Sequence, residues 1–226
     1  LPSRRPPFRL LAISQLASLP GGAGTGAGAW FAGLAAAGVD AVQLREKHLD
    51  DLQLHELARL ARAALPPPAL LLVNGRADVA LAAGADGVHL PADGVPAGAL
   101  RARFGSSLLI GVSTHRHDEV GRARRDGADY VVFGPVYPLP SASGHGPAVG
   151  LAALARAAQA GIPVYALGGV TLERFAEVAA AGAAGVAGIR LFQRRAAEPG
   201  VLEGSGDTFD LEECRRVVAT ARACFH

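Results

Sequence analysis

Along the chain, short unbroken apolar runs alternate with longer segments whose apolar residues recur every three or four positions. The runs occupy residues 8–14, 41–46, 69–74, 87–91, 108–114, 130–136, 163–169 and 185–190. They are continuous rather than alternating with polar residues, the pattern of strands covered on both faces. Helical spacing falls in 51–65, 77–83, 118–126, 151–160, 172–181 and 211–225, with Arg or Glu opposite the apolar stripe. Parallel strands need a crossover connection, so strands alternating with helices predict a parallel sheet. Eight strands predict that it closes as a (β/α)8 (TIM) barrel. The expected organisation is one domain over residues 1–226, with 1–7 a flexible tail.

A recurrent signature supports repeated βα units. It reads Ala36-Ala37-Gly38-Val39-Asp40, Ala83-Gly84-Ala85-Asp86-Gly87, Asp126-Gly127-Ala128-Asp129 and Ala181-Gly182-Ala183-Ala184-Gly185. Each copy ends a helix just before a strand, where glycine supplies a left-handed cap and small residues let the chain turn into the barrel floor. That is a stability feature of the bottom face and carries no chemistry. Residues 20–28 and 194–207 are expected to be Gly-containing surface loops rather than lids.

Composition narrows the function classes. No apolar run approaches the eighteen or so residues that would cross a bilayer, and residues 1–7 do not resemble a secretory signal. The net charge of +2 and the scattered Lys and Arg give no nucleic-acid stripe; Arg122, Arg124 and Arg125 read as a solvated helix face. Two cysteines, Cys214 and Cys224, exclude a disulfide framework and fit a reducing cytoplasm.

In a (β/α)8 barrel the active site forms at the carboxyl ends of the strands. The second strand ends Gln43-Leu44-Arg45-Glu46-Lys47, where alternation sends Gln43, Arg45 and Lys47 to one side. Two cations converging there call for a phosphate or pyrophosphate, or else for a salt-bridge cluster with Glu46. The third strand ends at Asn74, which donates and accepts hydrogen bonds without charge; Asp78 reads as a helix N-terminal carboxylate. His89, at the end of the fourth strand, reads as a packed interior histidine. Ser113 and His115 end the fifth, His115 placed past the tip where a general acid–base reaches both ligand and solvent. The loop 139–147 carries His145 and no Lys or Arg, so its composition marks flexibility. Gly168 and Gly169 end the seventh strand and Gly188 with Ile189 the eighth, so that backbone N–H groups can approach a phosphate closely.

Taken together, these segments resemble the thiamine phosphate synthase and thiazole tautomerase (TenI-like) superfamily over about residues 8–192. They are Val42-Gln43-Leu44-Arg45-Glu46-Lys47, Asn74-Gly75-Arg76-Ala77-Asp78, Gly87-Val88-His89-Leu90-Pro91, Gly111-Val112-Ser113-Thr114-His115, Phe133-Gly134-Pro135 and Leu167-Gly168-Gly169-Val170. The synthase branch joins a pyrimidine methyl pyrophosphate to a thiazole phosphate and uses Mg²⁺. Arg45, Lys47, Asn74 and Ser113 match its pattern. Gly75 and Gly94 stand where it has carboxylates, Asp93 lies one position away, and Ser141-Ala142-Ser143 replaces its Thr-x-Thr-Lys. Those departures, with Asn-Gly-Arg and Leu-Pro, are similar to the tautomerase branch, whose proton-moving histidine matches His115; Lys47 departs from it.

The resemblance therefore implies a cytoplasmic thiazole tautomerase, with His115 as catalyst and no metal or cofactor. Arg45, Lys47, Asn74, Ser113, Gly168, Gly169, Gly188 and Ile189 would bind a small phosphorylated thiazole. The alternatives are the synthase and a non-catalytic carrier or regulator that keeps the phosphate amides. No nucleic acid or membrane partner is expected, and a homo-oligomer is left open.

Overall fold

A computed structural model describes residues 8–18, 25–139, 146–193 and 209–225. The expected tail, the loop 194–207 and His145 lie outside the described residues. The elements run β1 (Leu10–Ile13), α1 (Thr25–Ala37), β2 (Ala41–Leu44), α2 (Asp51–Ala64), β3 (Leu70–Asn74), α3 (Ala77–Ala82), β4 (Gly87–Leu90) and α4 (Ala97–Phe104). They continue β5 (Leu109–Thr114), α5 (His117–Arg125), β6 (Tyr130–Phe133), α6 (Gly150–Ala158), β7 (Val164–Ala166), α7 (Phe175–Ala180), β8 (Gly185–Gly188) and α8 (Leu211–Cys224). The strands close as β1-β2-β3-β4-β5-β6-β7-β8, with every pair parallel. This is the (β/α)8 barrel.

Two helices depart from the expectations. The segment 20–28 is not wholly loop, because α1 begins at Thr25. Its Ala- and Gly-rich sequence lacks a charged face, so periodicity is silent; burial of Ala27, Trp30, Phe31 and Leu34 holds it to the barrel instead. The Trp30 indole N–H donates to the Phe192 carbonyl at 2.7 Å. At Gly33 a Cβ would meet the Phe209 ring at 2.4 Å, so glycine lets the ring lie against α1. The short α4 buries only Ala97, which leaves no apolar stripe to read. By contrast α2 follows its pattern, opening on a capping box between Asp50 and Gln53.

Strand alternation separates two cores. One lies between strands and helices; the other fills the barrel with Phe8, Leu11, Ile13, Ala41, Leu72, Tyr130, Val132, Tyr165 and Ala187. Three aromatics of the inner core pack together: Phe8 stacks on Tyr165 at 4.5 Å, and Tyr130 meets both edge-on. Space for the rings comes from glycine. A Cβ at Gly111 would lie 2.1 Å from the Tyr130 ring, and one at Gly185 would lie 2.8 Å from that of Tyr165.

The recurrent signature has a second part that spacing did not show. Gly38, Gly84, Gly127 and Gly182 take positive φ as expected. In three copies the aspartate just before the strand also accepts backbone N–H groups of the preceding strand: Asp40 from Arg9 and Leu10, Asp86 from Leu71, Asp129 from Ile110. Arg62 and Arg101 pair with Asp86 and Asp129 at 2.7 and 2.5 Å. Each carboxylate ties an even strand to its odd neighbour at the floor. The fourth copy has Ala184 and no such clasp.

Candidate active site at the barrel mouth

Inward positions at the carboxyl ends bring Gln43, Asn74, His89 and Ser113 to the barrel mouth. Gln43 is in register with Ile13 and Leu72 of the inner core, and Asn74 with His89. Arg45 follows two residues beyond Gln43 and is half-buried, while Lys47 is exposed on the rim. The salt-bridge cluster open at this point does not form. Glu46 is 5% exposed and turns away: its carboxylate accepts the Ser14 hydroxyl at 2.5 Å and the Leu16 N–H at 2.9 Å. Neither Arg45 nor Lys47 has an ion-pair partner among the described residues. A half-buried guanidinium without a counter-ion is costly, and an anionic ligand is the group that would relieve it.

His89 is 2% exposed, as expected of a packed interior histidine, yet it links directly to the site. Its Nδ1 lies 3.1 Å from the Tyr130 hydroxyl and its Nε2 2.9 Å from Ser113 Oγ. Burial, aided by the nearby Arg45 charge, pushes its pKa down to about 3. His89 is therefore neutral at ordinary pH and does not compete with His115 for proton transfer.

His115 stands past the end of β5 and is exposed. Its Nδ1 lies 2.6 Å from the Gly134 carbonyl at the tip of β6. A carbonyl only accepts, so Nδ1 carries the hydrogen and the neutral ring keeps its lone pair on Nε2. Its backbone N–H is held by Glu119 at 2.7 Å. The ring is thus oriented at the rim, and its Nε2 has no hydrogen-bond partner among the described residues.

The glycine tips serve packing as well as access. Gly168 and Gly169 have φ of +91° and +66°, which favour glycine. A Cβ at Gly168 would lie 2.5 Å from Pro135, and one at Gly169 would lie 2.7 Å from Tyr137. Arg174 rivets this turn: it donates to the Gly169 carbonyl at 2.5 Å and covers the Tyr137 ring at 4.1 Å, while Tyr137 donates to Glu177 at 2.5 Å. Gly188 ends β8, and half-buried Ile189 packs against the inner core.

The Mg²⁺ implied for the synthase branch does not fit the residues present. Gly75 and Gly94 offer no side-chain oxygen, and Asp93 is exposed beside them. Asp51 and Asp78, flanking the β3 tip, are engaged by Arg76, with 2.7 Å to Asp78. Among the described residues no group of three or more His, Cys, Asp or Glu side chains is placed to hold a metal ion. A hard divalent cation needs several oxygen donors, usually with carboxylates among them. Beside the mouth, between the β4–α4 loop and α5, lies a cavity of about 100 Å³ that includes Pro91, Ser113, Glu119 and Arg122 but not Arg45 or the glycine tips.

Two groups, Gln43 and Tyr130, escaped the sequence reading of the site, as did the link from His89 to it. Gln43 was seen only as part of an alternation, yet its Nε2 is buried with no hydrogen-bond partner among the described residues. A buried amide donor without an acceptor is costly, and at an inward position near the mouth a ligand acceptor would relieve it. Tyr130 was missed, and so was its link to His89, because that partnership spans 41 residues of sequence. The inward phase of β4, shared with β3, was the signal that could have joined His89 to the site.

Fold and mouth together define a (β/α)8 barrel whose carboxyl end gathers Gln43, Arg45, Asn74, His89 and Ser113. The family model for thiamine monophosphate synthase matches residues 25–192, and the chain belongs to that family of thiamine-biosynthesis enzymes. It is 50% identical over 157 residues to a Geobacter sulfurreducens protein named "Putative thiamine-phosphate synthase", covering 69% of this chain and 74% of that one. It is 44% identical over 156 residues to the thiamine-phosphate synthase of Chlorobium luteolum, covering 66% and 72%. The fold is similar to that of a thiamine phosphate pyrophosphorylase from Pyrococcus furiosus, with a TM-score of 0.79 and 24% identity over 97% of this chain and 98% of that one. No helix among the described residues is long and apolar enough to cross a membrane.

Proposed function

We propose that this chain is a cytoplasmic thiamine-phosphate synthase, joining a pyrimidine methyl pyrophosphate to a thiazole phosphate. The observation that carries the reading is the pair of relatives bearing that name at 50% and 44% identity over about two thirds of the chain. They move this activity ahead of the tautomerase expected from the sequence. In the reaction the thiazole nitrogen lone pair forms a bond to the methylene carbon. The carbon–oxygen bond breaks, and its electrons leave with pyrophosphate. Negative charge grows on the leaving group, where Arg45 and Lys47 oppose it and Asn74 and Ser113 hydrogen-bond it. Amides at Gly168, Gly169, Gly188 and Ile189 take the thiazole phosphate, and Gln43 Nε2 donates to the bound pyrimidine.

A second reading, the thiazole tautomerase, is favoured by the missing carboxylates at Gly75 and Gly94 and by the free Nε2 of His115. That nitrogen takes a proton from one ring position of a thiazole carboxylate phosphate and returns it at another, leaving an aromatic ring. One experiment separates the readings. Purified protein is given the pyrimidine pyrophosphate with the thiazole phosphate, and separately the thiazole carboxylate phosphate in deuterated water, with Mg²⁺ or with EDTA. Pyrophosphate release with the joined product establishes the synthase. Turnover of the carboxylate substrate alone replaces it with the tautomerase. Binding of both without turnover leaves the carrier.

A further inference from the structure

We infer that Tyr130 and His89 form a directional hydrogen-bond relay that fixes Ser113 as a donor to anionic oxygens at the barrel mouth. The inference rests on the reading of that mouth as a phosphate or pyrophosphate site. The three side chains form a line from the aromatic floor to the opening: Tyr130 hydroxyl, His89 Nδ1 at 3.1 Å, then His89 Nε2 to Ser113 Oγ at 2.9 Å. Tyr130 and His89 are buried, and Ser113 is half-buried.

Counting hydrogens decides the direction. His89 Nδ1 is the hydrogen-bond partner of the Tyr130 hydroxyl among the described residues. If Tyr130 donates to it, the ring is protonated on Nε2, that hydrogen goes to Ser113 Oγ, and every buried hydrogen has an acceptor. In the reverse direction Ser113 donates to Nε2 and Nδ1–H donates to Tyr130. The phenolic hydrogen is then stranded in the apolar floor, where leaving a donor unmade is costly. A doubly protonated ring is opposed by burial and by the Arg45 charge. Burial also raises the Tyr130 pKa, so its hydroxyl keeps its hydrogen. With its oxygen occupied by His89 Nε2–H, Ser113 turns its own hydrogen outward. A hydroxyl so polarised offers a donor to an anion and disfavours ligand groups that need an acceptor. Tyr130 and His89 act here as positioning residues.

The test uses the full chain labelled with ¹⁵N-histidine. Long-range ¹⁵N–¹H correlations report which ring nitrogen carries the hydrogen, and His89→Gln assigns the signals. Protonation at Nε2 supports the relay; protonation at Nδ1 overturns it, whatever the binding results. Tyr130→Phe keeps the ring packed against Phe8 and Tyr165 and removes only the hydroxyl. In that variant the preference between tautomers is lost, and affinity for inorganic pyrophosphate falls several-fold. Ser113→Ala lowers it about tenfold or more, the scale of one hydrogen bond to a charged group. Unchanged tautomer and affinity in Tyr130→Phe overturn the relay. If the wild-type protein binds neither pyrophosphate nor phosphate, the anion-site reading falls and the role of Ser113 with it, while the tautomer result stands separately.

Discussion

The two ends of the barrel handle buried and half-buried polar groups in opposite ways. At the floor Asp40, Asp86 and Asp129 repeat one motif, and each carboxylate is satisfied by backbone N–H groups of the neighbouring strand. At the mouth Arg45 has no counter-ion among the described residues, Gln43 Nε2 has no acceptor, and Gly75 and Gly94 stand where carboxylates would complete a cation site. The difference that points to function is the unfinished contact: neighbouring strands complete the floor carboxylates, while Arg45 and Gln43 at the mouth are groups that a ligand would complete.

Four changes sharpen or break this contrast. The largest effect is expected at the rim. On the tautomerase reading, His115→Asn lowers turnover of thiazole carboxylate phosphate by about 10²–10⁴, the general acid–base contribution, with phosphate affinity nearly unchanged by calorimetry. Unchanged turnover would make His115 a rim contact to Gly134 and nothing more. Next, Arg45→Ala should weaken inorganic pyrophosphate binding about a hundredfold while leaving the thermal midpoint unchanged or higher, since a lone half-buried cation contributes no stability. A clear drop in midpoint would mean that Arg45 supports the fold after all. Because the donor set does not fit a divalent cation, that affinity should be the same with Mg²⁺ and with EDTA.

Asp129→Ala should do the reverse. Losing its bonds to Ile110 and Arg101 should cost about 1.5–3 kcal/mol in denaturant unfolding, with pyrophosphate affinity intact. The smallest effect is a slope. His89 has a folded pKa of about 3 against 6.5 for the free side chain, so between those values the unfolded chain binds the extra proton. Its neutral burial is harmless above pH 6.5, and stability falls by up to about 1.4 kcal/mol per unit as pH drops toward 3. Asp51, Asp78 and Asp118, whose pKa values hydrogen bonds to Arg76 and Arg116 hold down, add a pH dependence only as pH falls below their ordinary value of 3.8, where whatever stability they contribute is lost. His89→Gln should therefore flatten the stability curve between about pH 6 and 4.5; an unaltered curve would show that His89 does not set it.

Much of the fold was legible because it is written locally. Continuous apolar runs marked all eight strands, and four small-residue turns marked the returns to the floor. The helix α1 was hidden because Ala and Gly leave no polar face, and α4 because it buries a single residue. At the site, Arg45, Asn74 and Ser113 could be read from their place at strand ends. The fate of Glu46 could not, since Ser14 and Leu16 take it from a different strand's loop.

By itself the sequence determined the eightfold βα order and the glycine turns. It also determined which residues end each strand, because periodicity and chain direction act between near neighbours. Only the closed barrel decided which of those polar groups find partners. Tyr130 meets His89, Asp129 meets Ile110 and the Arg45 guanidinium meets no carboxylate among the described residues, because those outcomes depend on which strands, far apart in sequence, are brought within hydrogen-bond reach.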